Sequence, residues 1–600
     1  MSDTVPSNSP SSSAADDASL LAARTSHYPR WAQALARMYF TKTIAAFILH
    51  GDIRDVVPSE DAEGARIYPS LRTFLTDDLF ASRDVVVLYD RSAGIHFADR
   101  ASQKDFNRAL SGHDTLFGTD YQNTLPKDPP RVFELLGNYF RLRLSDGVRV
   151  ACIIDYAETV APMAEASTTS AEDRQALVAL QKWTRDSLFL ESDFTLTLLT
   201  ENLTDLHQQL VQSPHTAEIH VPIPDESNRR HYVDWALSDR RETFEAHSDV
   251  SSTALAANTA GLNYTQLRTI LADVLENKNQ LTTDTLSDLK KEFIEAEAYG
   301  LLEFIETDNT LDLVAGHTAA KRHLRQAARA LQDGRHDVLP MGYLVSGPVG
   351  CGKTFLINCF AGEIGIPMVK LKNFRSQWQG VTEGNLEKIL NLLEAMTPVA
   401  VMIDEADAAL GTRDARGDSG VSQRVFSQIV SFMSDPRHRG RVLWFLVTAR
   451  PDFMPVDLKR QGRAEEHLSL FYPSTREDRE ELLQVMMART GVDLPLGDVP
   501  AELLDGERTY SGADMEAILT RAAFRAAGSN DGAVTPELLQ TTVNDFIPPT
   551  YPTEVELQQL AAVLECTSRD LLPERFRNMD RAEVVERLQE LKRMVGSPAV

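Results

Sequence analysis

Short, unbroken apolar runs, each closed by a glycine or a carboxylate, recur along this chain. Thr43 to Leu49 stops at His50-Gly51-Asp52, Val85 to Leu88 is β-branched, Arg149 to Asp155 ends on an acid, and Thr195 to Thr200 is followed by Glu201-Asn202. Runs without polar alternation predict strands buried on both faces, as in parallel sheets. Trp31 to Phe40 has the spacing of an amphipathic helix. The second half repeats the layout with Tyr343 to Val345, Val399 to Asp404 and Val442 to Thr448. Buried strands alternating with helical patterns give an α/β fold class with parallel sheets.

Spacing makes the two halves copies. Asp155 to Thr200 is 45 positions and Asp404 to Thr448 is 44. Leu262-Asn-Tyr-Thr-Gln-Leu and Tyr510-Ser-Gly-Ala-Asp-Met each begin 62 positions after the respective threonine. Leu281-Thr282 and Phe293-Ile294 answer Val534-Thr535 and Phe546-Ile547 at a common offset of 253. We expect two tandem modules, each a parallel-sheet core followed by a small helical lid. The boundaries are a disordered tail over 1–27, a first core over 28–224, its lid over 225–305, a second core over 306–474, its lid over 475–550 and a helical segment over 551–600. The tail is rich in Ser, Ala, Asp and Pro and lacks the apolar content to fold. The final helix, with Gly596 as its stop, is either a docking helix or packs on the second lid.

Composition narrows the function classes. The 600 residues carry a net charge of −26, which opposes non-specific binding to nucleic acid or an anionic membrane. No apolar stretch approaches the length of a membrane span, and no signal pattern opens the chain. The four cysteines, Cys152, Cys351, Cys359 and Cys566, form no Cys-x-x-Cys pair and predict reduced thiols in a cytoplasmic protein.

The candidate chemistry sits in the second copy. Gly347-Pro348-Val349-Gly350-Cys351-Gly352-Lys353-Thr354 follows the strand Tyr343–Val345 and precedes the apolar stretch from Phe355 to Phe360. Strand, glycine turn and helix start form the context of a phosphate loop. Glycines let the backbone approach a phosphate, and loop amides with the helix dipole face the anion. Lys353 is expected to reach the β- and γ-phosphates of ATP, and Thr354 to hold a magnesium ion. Fifty positions after Thr354, the run Val399–Ile403 ends in Asp404-Glu405. Asp404 is expected to bind the metal through water and Glu405 to orient or deprotonate the attacking water. The first copy has His50-Gly51-Asp52-Ile53-Arg54-Asp55 in place of the loop and Tyr156 after Asp155, so it should not hydrolyse nucleotide.

These motifs, together with Arg424 to Asp435, Arg450-Pro451-Asp452 through Arg463, Ser511-Gly512-Ala513-Asp514 and Val314-Ala315-Gly316, make residues 311–547 resemble an ATPase module of the AAA subfamily of the AAA+ superfamily. The resemblance implies two P-loop-type AAA+ modules, the first degenerate. It implies a homo-oligomeric ring, commonly a hexamer, with ATP between subunits. Val314, Ala315 and Gly316 would cradle the base from one side, with Gly512 and Ala513 near the adenine on the other. Arg460 and Arg463 match the arginines that reach a neighbour's γ-phosphate. Two departures stand out. Ala449 replaces the usual Asn at the strand tip, leaving Thr448 to offer its hydroxyl toward water or phosphate, and Ala464-Glu465-Glu466 replaces the usual Phe-Asp-Arg.

Trp378-Gln379-Gly380 matches the pore loop of protein-remodelling members, whose aromatics grip an extended polypeptide. Residues 411–420 form either a second pore loop or a connection. No His-Glu-x-x-His occurs, which excludes a built-in zinc protease of that type. The expected function is a motor threading a protein substrate through a central pore. An assembly ATPase for a phage-tail-like contractile injection particle and a nucleotide-gated scaffold with little turnover are the alternatives. A nucleic-acid motor is opposed by charge and by the aromatic-Gly loop.

Overall fold

The computed structural model describes residues 25–61, 64–164, 169–372, 383–410, 420–505, 510–528, 533–547 and 551–596. The expected tail up to residue 24, Trp378, Gln379 and Gly380, and the stretch 411–419 lie outside the described residues. The chain divides into two compact units, residues 1–294 with 383–395, and residues 295–382 with 396–600.

The first unit carries β1 (Ala46–Gly51), the small hairpin β2 (Val57–Asp61) and β3 (Gly64–Tyr68), then β4 (Val85–Asp90), β5 (Gly94–Phe97), β6 (Val150–Ile154), β7 (Phe194–Leu199) and β8 (Thr216–Val221). The large sheet has the order β5-β4-β6-β7-β1-β8 and is parallel except at the β4–β5 edge. Successive side chains of a strand point to opposite faces. Ile48, Val87, Cys152, Ile154 and Leu196 accordingly pack with Phe133, Phe140 and Trp183 on one side. Phe47, Leu49, Val86, Ala151 and Ile153 pack with Leu35, Leu71 and Phe74 on the other. That double burial is why these strands are apolar throughout.

The second unit repeats the plan with β9 (Leu302–Phe304), β10 (Gly342–Ser346), β11 (Met368–Leu371), β12 (Val399–Ile403), β13 (Val442–Thr448) and β14 (Glu466–Ser469), in the order β14-β10-β13-β12-β11-β9. Numbered along the chain, the five parallel strands of each sheet run 5-1-4-3-2, and each sheet ends in one antiparallel edge strand. That edge strand follows its partner in the first sheet and leads the chain into the second. Leu302–Phe304, expected at the end of the first lid, thus belongs to the second sheet, held by backbone pairing to Val369–Leu371. The helix Glu383–Ala395, expected inside the second core, groups with the first unit. There the Glu387 carboxylate accepts from the Leu203 and Thr204 amides at 3.1 and 3.0 Å.

Two glycines show how close the copies are. A Cβ on Gly51 (φ +98°) would lie 2.4 Å from the Val221 carbonyl, and one on Gly347 (φ +151°) would lie 2.3 Å from that of Leu470. In both sheets the turn after the first strand is pressed against the end of the fifth, and only glycine fits. The lids match as well. Asn263 with Gln266, and Ser511 with Asp514, form capping boxes at the starts of the helices Tyr264–Leu275 and Gly512–Ala527.

Candidate functional site

Strand β10 delivers the chain to the glycine turn, where Gly350 and Gly352 take φ of +78° and +91°. The helix Lys353–Ile364 then begins at Gly352 with no side-chain cap on its first turn. Such a helix start favours an anion. The Lys353 ammonium donates to the Gly347 and Pro348 carbonyls, each at 2.9 Å, and so lies over the loop it is expected to serve.

Strand β12 places Asp404 beside this helix. Thr354 Oγ1 lies 3.3 Å from Asp404 Oδ1, across 50 positions of sequence. Sequence reasoning missed a third member: Lys370 on β11, whose Nζ is 3.1 Å from Asp404 Oδ2. A hydroxyl and a carboxylate are hard oxygen donors of the kind magnesium takes, and it needs few protein ligands when phosphates and water supply the rest. The Lys370 ammonium shows that a positive charge is stabilised at this carboxylate. These residues therefore fit the metal. Glu405 stands next in the left-handed region, φ +49°, with its amide donating to Asp404 Oδ1 at 3.0 Å.

A cavity of about 790 Å³ opens beside the loop, within the size range of small-molecule sites. Val314, Ala315, Gly316, Gly350, Cys351, Gly352, Phe355, Gly512 and Ala513 all line it. The lid closes on the loop so tightly that a Cβ at Gly350 would come 3.0 Å from Ser511 Oγ. His317, in the left-handed region at φ +50°, lies within 3.1 Å of the Cys351 carbonyl through Nε2. Burial pushes its pKa down, so the neutral ring is favoured. Arg489 lines the cavity, pairs with Glu516 at 3.2 Å, and lies over the Phe355 ring at 4.9 Å, a placement no motif signals.

Two expectations need correction. Thr448 does not offer its hydroxyl to the phosphate side. It donates to Asp407 Oδ1 at 2.6 Å and accepts from the Arg450 amide at 2.9 Å, fully buried. With Ala449 beside it, the strand tip presents no free polar group from these two residues. Nor are Arg460 and Arg463 equivalent. The Arg460 side chain is 60% exposed, with Asp457 at 3.7 Å, whereas that of Arg463 is 10% exposed. Arg463 donates to Ser434 Oγ and to the Asp457 carbonyl, both at 2.6 Å, and so ties the loop to its own core.

The first unit fills the matching place with its own side chains. No helix follows β1; the chain runs from Gly51 into the β2–β3 hairpin. Arg54 donates to Asp155 at 2.7 Å and Glu201 at 3.2 Å, and stacks over Tyr156 at 3.9 Å. Burial disfavours its charge, but Asp155 and Glu201 outweigh that and raise its pKa. Asp155 and Tyr156 reproduce the Asp404–Glu405 turn, with Tyr156 at φ +51° and its amide on Asp155 Oδ1 at 2.9 Å. Asp55 then accepts from the Tyr264 and Thr265 amides at 2.6 and 2.9 Å and from the Thr265 hydroxyl at 2.7 Å. Those two residues stand where Gly512 and Ala513 stand in the second lid. The Asp55 carboxylate thus joins core to lid with no ligand, while the Arg54 guanidinium ties together the core alone. Asp55→Ala leaves these donors buried and unpaired, at a cost of about 2–3 kcal/mol. Hydrogen exchange of the full chain should show the Tyr264 and Thr265 amides losing protection; unchanged protection would mean the clamp carries no stability.

Residues 15–222 match the N-terminal Rossmann-like domain of AAA+ chaperones, 227–299 their second helical domain, and 343–472 the ATPase family associated with various cellular activities. The chain is 32% identical over 234 residues to the ATP-dependent zinc metalloprotease FtsH of Hahella chejuensis, 37% of each chain. It is 25% identical over 402 residues to the cell division cycle protein 48 homolog of Archaeoglobus fulgidus, 62% of this chain and 54% of that protein. The chain thus spans from about a third to just over half the length of these relatives. The chain belongs to the AAA+ ATPases, an AAA domain preceded by the Rossmann-like and helical domains of an AAA+ chaperone.

Proposed function

We propose that this ATPase works as a homo-oligomeric ring, a hexamer by family resemblance, that remodels a protein substrate. The observation that carries the reading is the incomplete nucleotide site. Phosphate loop, Thr354, Asp404 and Glu405 converge within the second unit, while Arg460 is exposed and Arg463 is turned inward. A transferring phosphoryl group needs more positive charge than Lys353 alone supplies, and an exposed arginine on a neighbouring copy supplies it.

In this scheme Lys353 leaves its loop carbonyls for the β- and γ-phosphates, and the amides after Gly350 hold the chain of phosphates in place. Glu405 orients the water and accepts its proton. Thr354 and Asp404 would hold a magnesium ion, which would supply positive charge for the phosphates, beside the Lys370 ammonium that pairs with the same carboxylate.

A protein substrate is favoured by Trp378-Gln379-Gly380 and by the net charge of −26, which repels nucleic acid. The free thiols, Cys152, Cys351 and Cys359 among them buried, suit a reducing cytoplasm. Among the described residues no helix is long and apolar enough to cross a membrane. Trp378→Ala should lower the amount of a tagged, unstructured-tail protein unfolded per ATP hydrolysed by about tenfold or more, since it removes the grip. An unchanged ratio would remove the threading reading. Stimulation of turnover by DNA but not by protein would replace it with a nucleic-acid motor.

A further inference from the structure

The segment after the second lid packs on the ATPase core, and it touches the phosphate loop, the cavity beside it and the loop that carries Arg460. The helices Pro552–Glu565 and Arg581–Met594 share a core of Leu557, Leu560, Val584, Leu588 and Leu591 with Phe471. They cover the edge strand β14, where the Ser469 hydroxyl donates to the Ala562 carbonyl at 2.8 Å.

From that seat the segment reaches the site in several places. Gln558 Oε1 accepts from the Val349 amide of the phosphate loop at 3.0 Å. Leu571, Leu572, Pro573 and Arg577 line the cavity shared with Val314, Gly350 and Gly512. Leu571 also packs on the cluster containing Val314, Cys351 and Tyr472. Lys592 pairs with Asp452 at 3.1 Å, both side chains at most 7% exposed, and Asp452 in turn receives Arg450 at 2.9 Å. Burial would raise the Asp452 pKa, but Arg450 and Lys592 overcome it and hold it low. Glu565 pairs with Lys459, the residue before Arg460. Lys459 also donates to the Pro451 carbonyl at 3.1 Å.

We propose that residues 551–596 are a working part of the nucleotide site: Leu571–Pro573 and Arg577 complete its base end, and Glu565 and Lys592 position the loop that carries Arg460. This rests on the ATP reading above. Phosphates on Gly350–Lys353 leave the base toward the wall built by Val314, Met486 and Leu572, an apolar surface suited to a planar ring, with the Arg577 guanidinium at its rim. The segment reaches the finger loop through two ion pairs, so it links the pocket of a chain to the arginine it lends its neighbour. Arg577 is a binding residue in this scheme; Glu565 and Lys592 act through Lys459 and Asp452.

The test uses full-length protein, titrated with a fluorescent ATP analogue and assayed for turnover, with thermal melting of each variant. Leu572→Ser and Arg577→Ala should raise KM for ATP by about fivefold or more, with a smaller change in kcat. Glu565→Gln and Lys592→Met should keep the affinity and lower kcat by about tenfold, with Glu565→Gln as the milder lesion if Lys592→Met melts early. A wild-type protein that loses ATP affinity in Lys353→Ala, but keeps wild-type KM in both pocket variants and wild-type kcat in Glu565→Gln, overturns this inference and leaves the ATP reading standing. A wild-type protein with no ATP affinity overturns both.

Discussion

Glu405→Gln should stop turnover while the protein still binds ATP. The glutamate follows Asp404 at the end of β12, in a left-handed turn whose amide is fixed on the Asp404 carboxylate. The backbone therefore aims the side chain, and an amide in its place keeps shape and volume but cannot take a proton. General-base loss costs about 10²–10⁴ in rate. Lys353→Ala should act on a different quantity, because it removes the charge that meets the phosphates, so affinity falls with the rate. Binding of a fluorescent ATP analogue separates the two: Glu405→Gln retains it and Lys353→Ala loses it. Wild-type turnover in Glu405→Gln would show that another group activates the water and would remove Glu405 from the base role.

The twin turn in the first unit makes the same point from the other side. Tyr156 keeps the left-handed φ of Glu405, +51° against +49°, after an aspartate that in both copies accepts from its amide. What changed is the chemistry hung on it: a phenol where a base would stand, and Arg54 where cation and phosphate would be. Asp55 gives the lid an internal anion in place of a bound one, so this unit stays joined without nucleotide.

This explains what could be read from the chain alone. The strands were legible because a strand buried on both faces leaves an unbroken apolar run, and the duplication was legible because sheet and lid keep their spacing. Gly347 to Thr354 and Asp404-Glu405 were legible because phosphate chemistry demands those residue types in that order. Lys370 on Asp404 was not, since a single lysine in a strand carries no pattern. Thr448 and Arg463 have the residue types the resemblance requires, but their hydrogen bonds to Asp407 and Ser434 depend on the packing of neighbouring elements that no spacing reveals. The C-terminal segment meets Val349 across 209 positions through one glutamine, a contact without a motif.

Arg460→Ala should abolish turnover by an amount on the order of 10³, the usual worth of an arginine finger. The side chain is 60% exposed and weakly held by Asp457, so its loss should leave fold and ATP affinity intact. Arg463→Ala should behave differently, because it empties a buried position bonded to Ser434 and the Asp457 carbonyl; it should lower the melting temperature as well as the rate. The decisive experiment mixes two dead proteins. Arg460→Ala has an intact pocket and no finger, and Lys353→Ala has an intact finger and no pocket. If the finger acts in trans, random co-assembly at equal ratio rebuilds complete sites at about one interface in four, and about a quarter of wild-type turnover returns. If Arg460 acts within its own chain, no mixture recovers activity at any ratio, and the assembly-dependent site has to be given up.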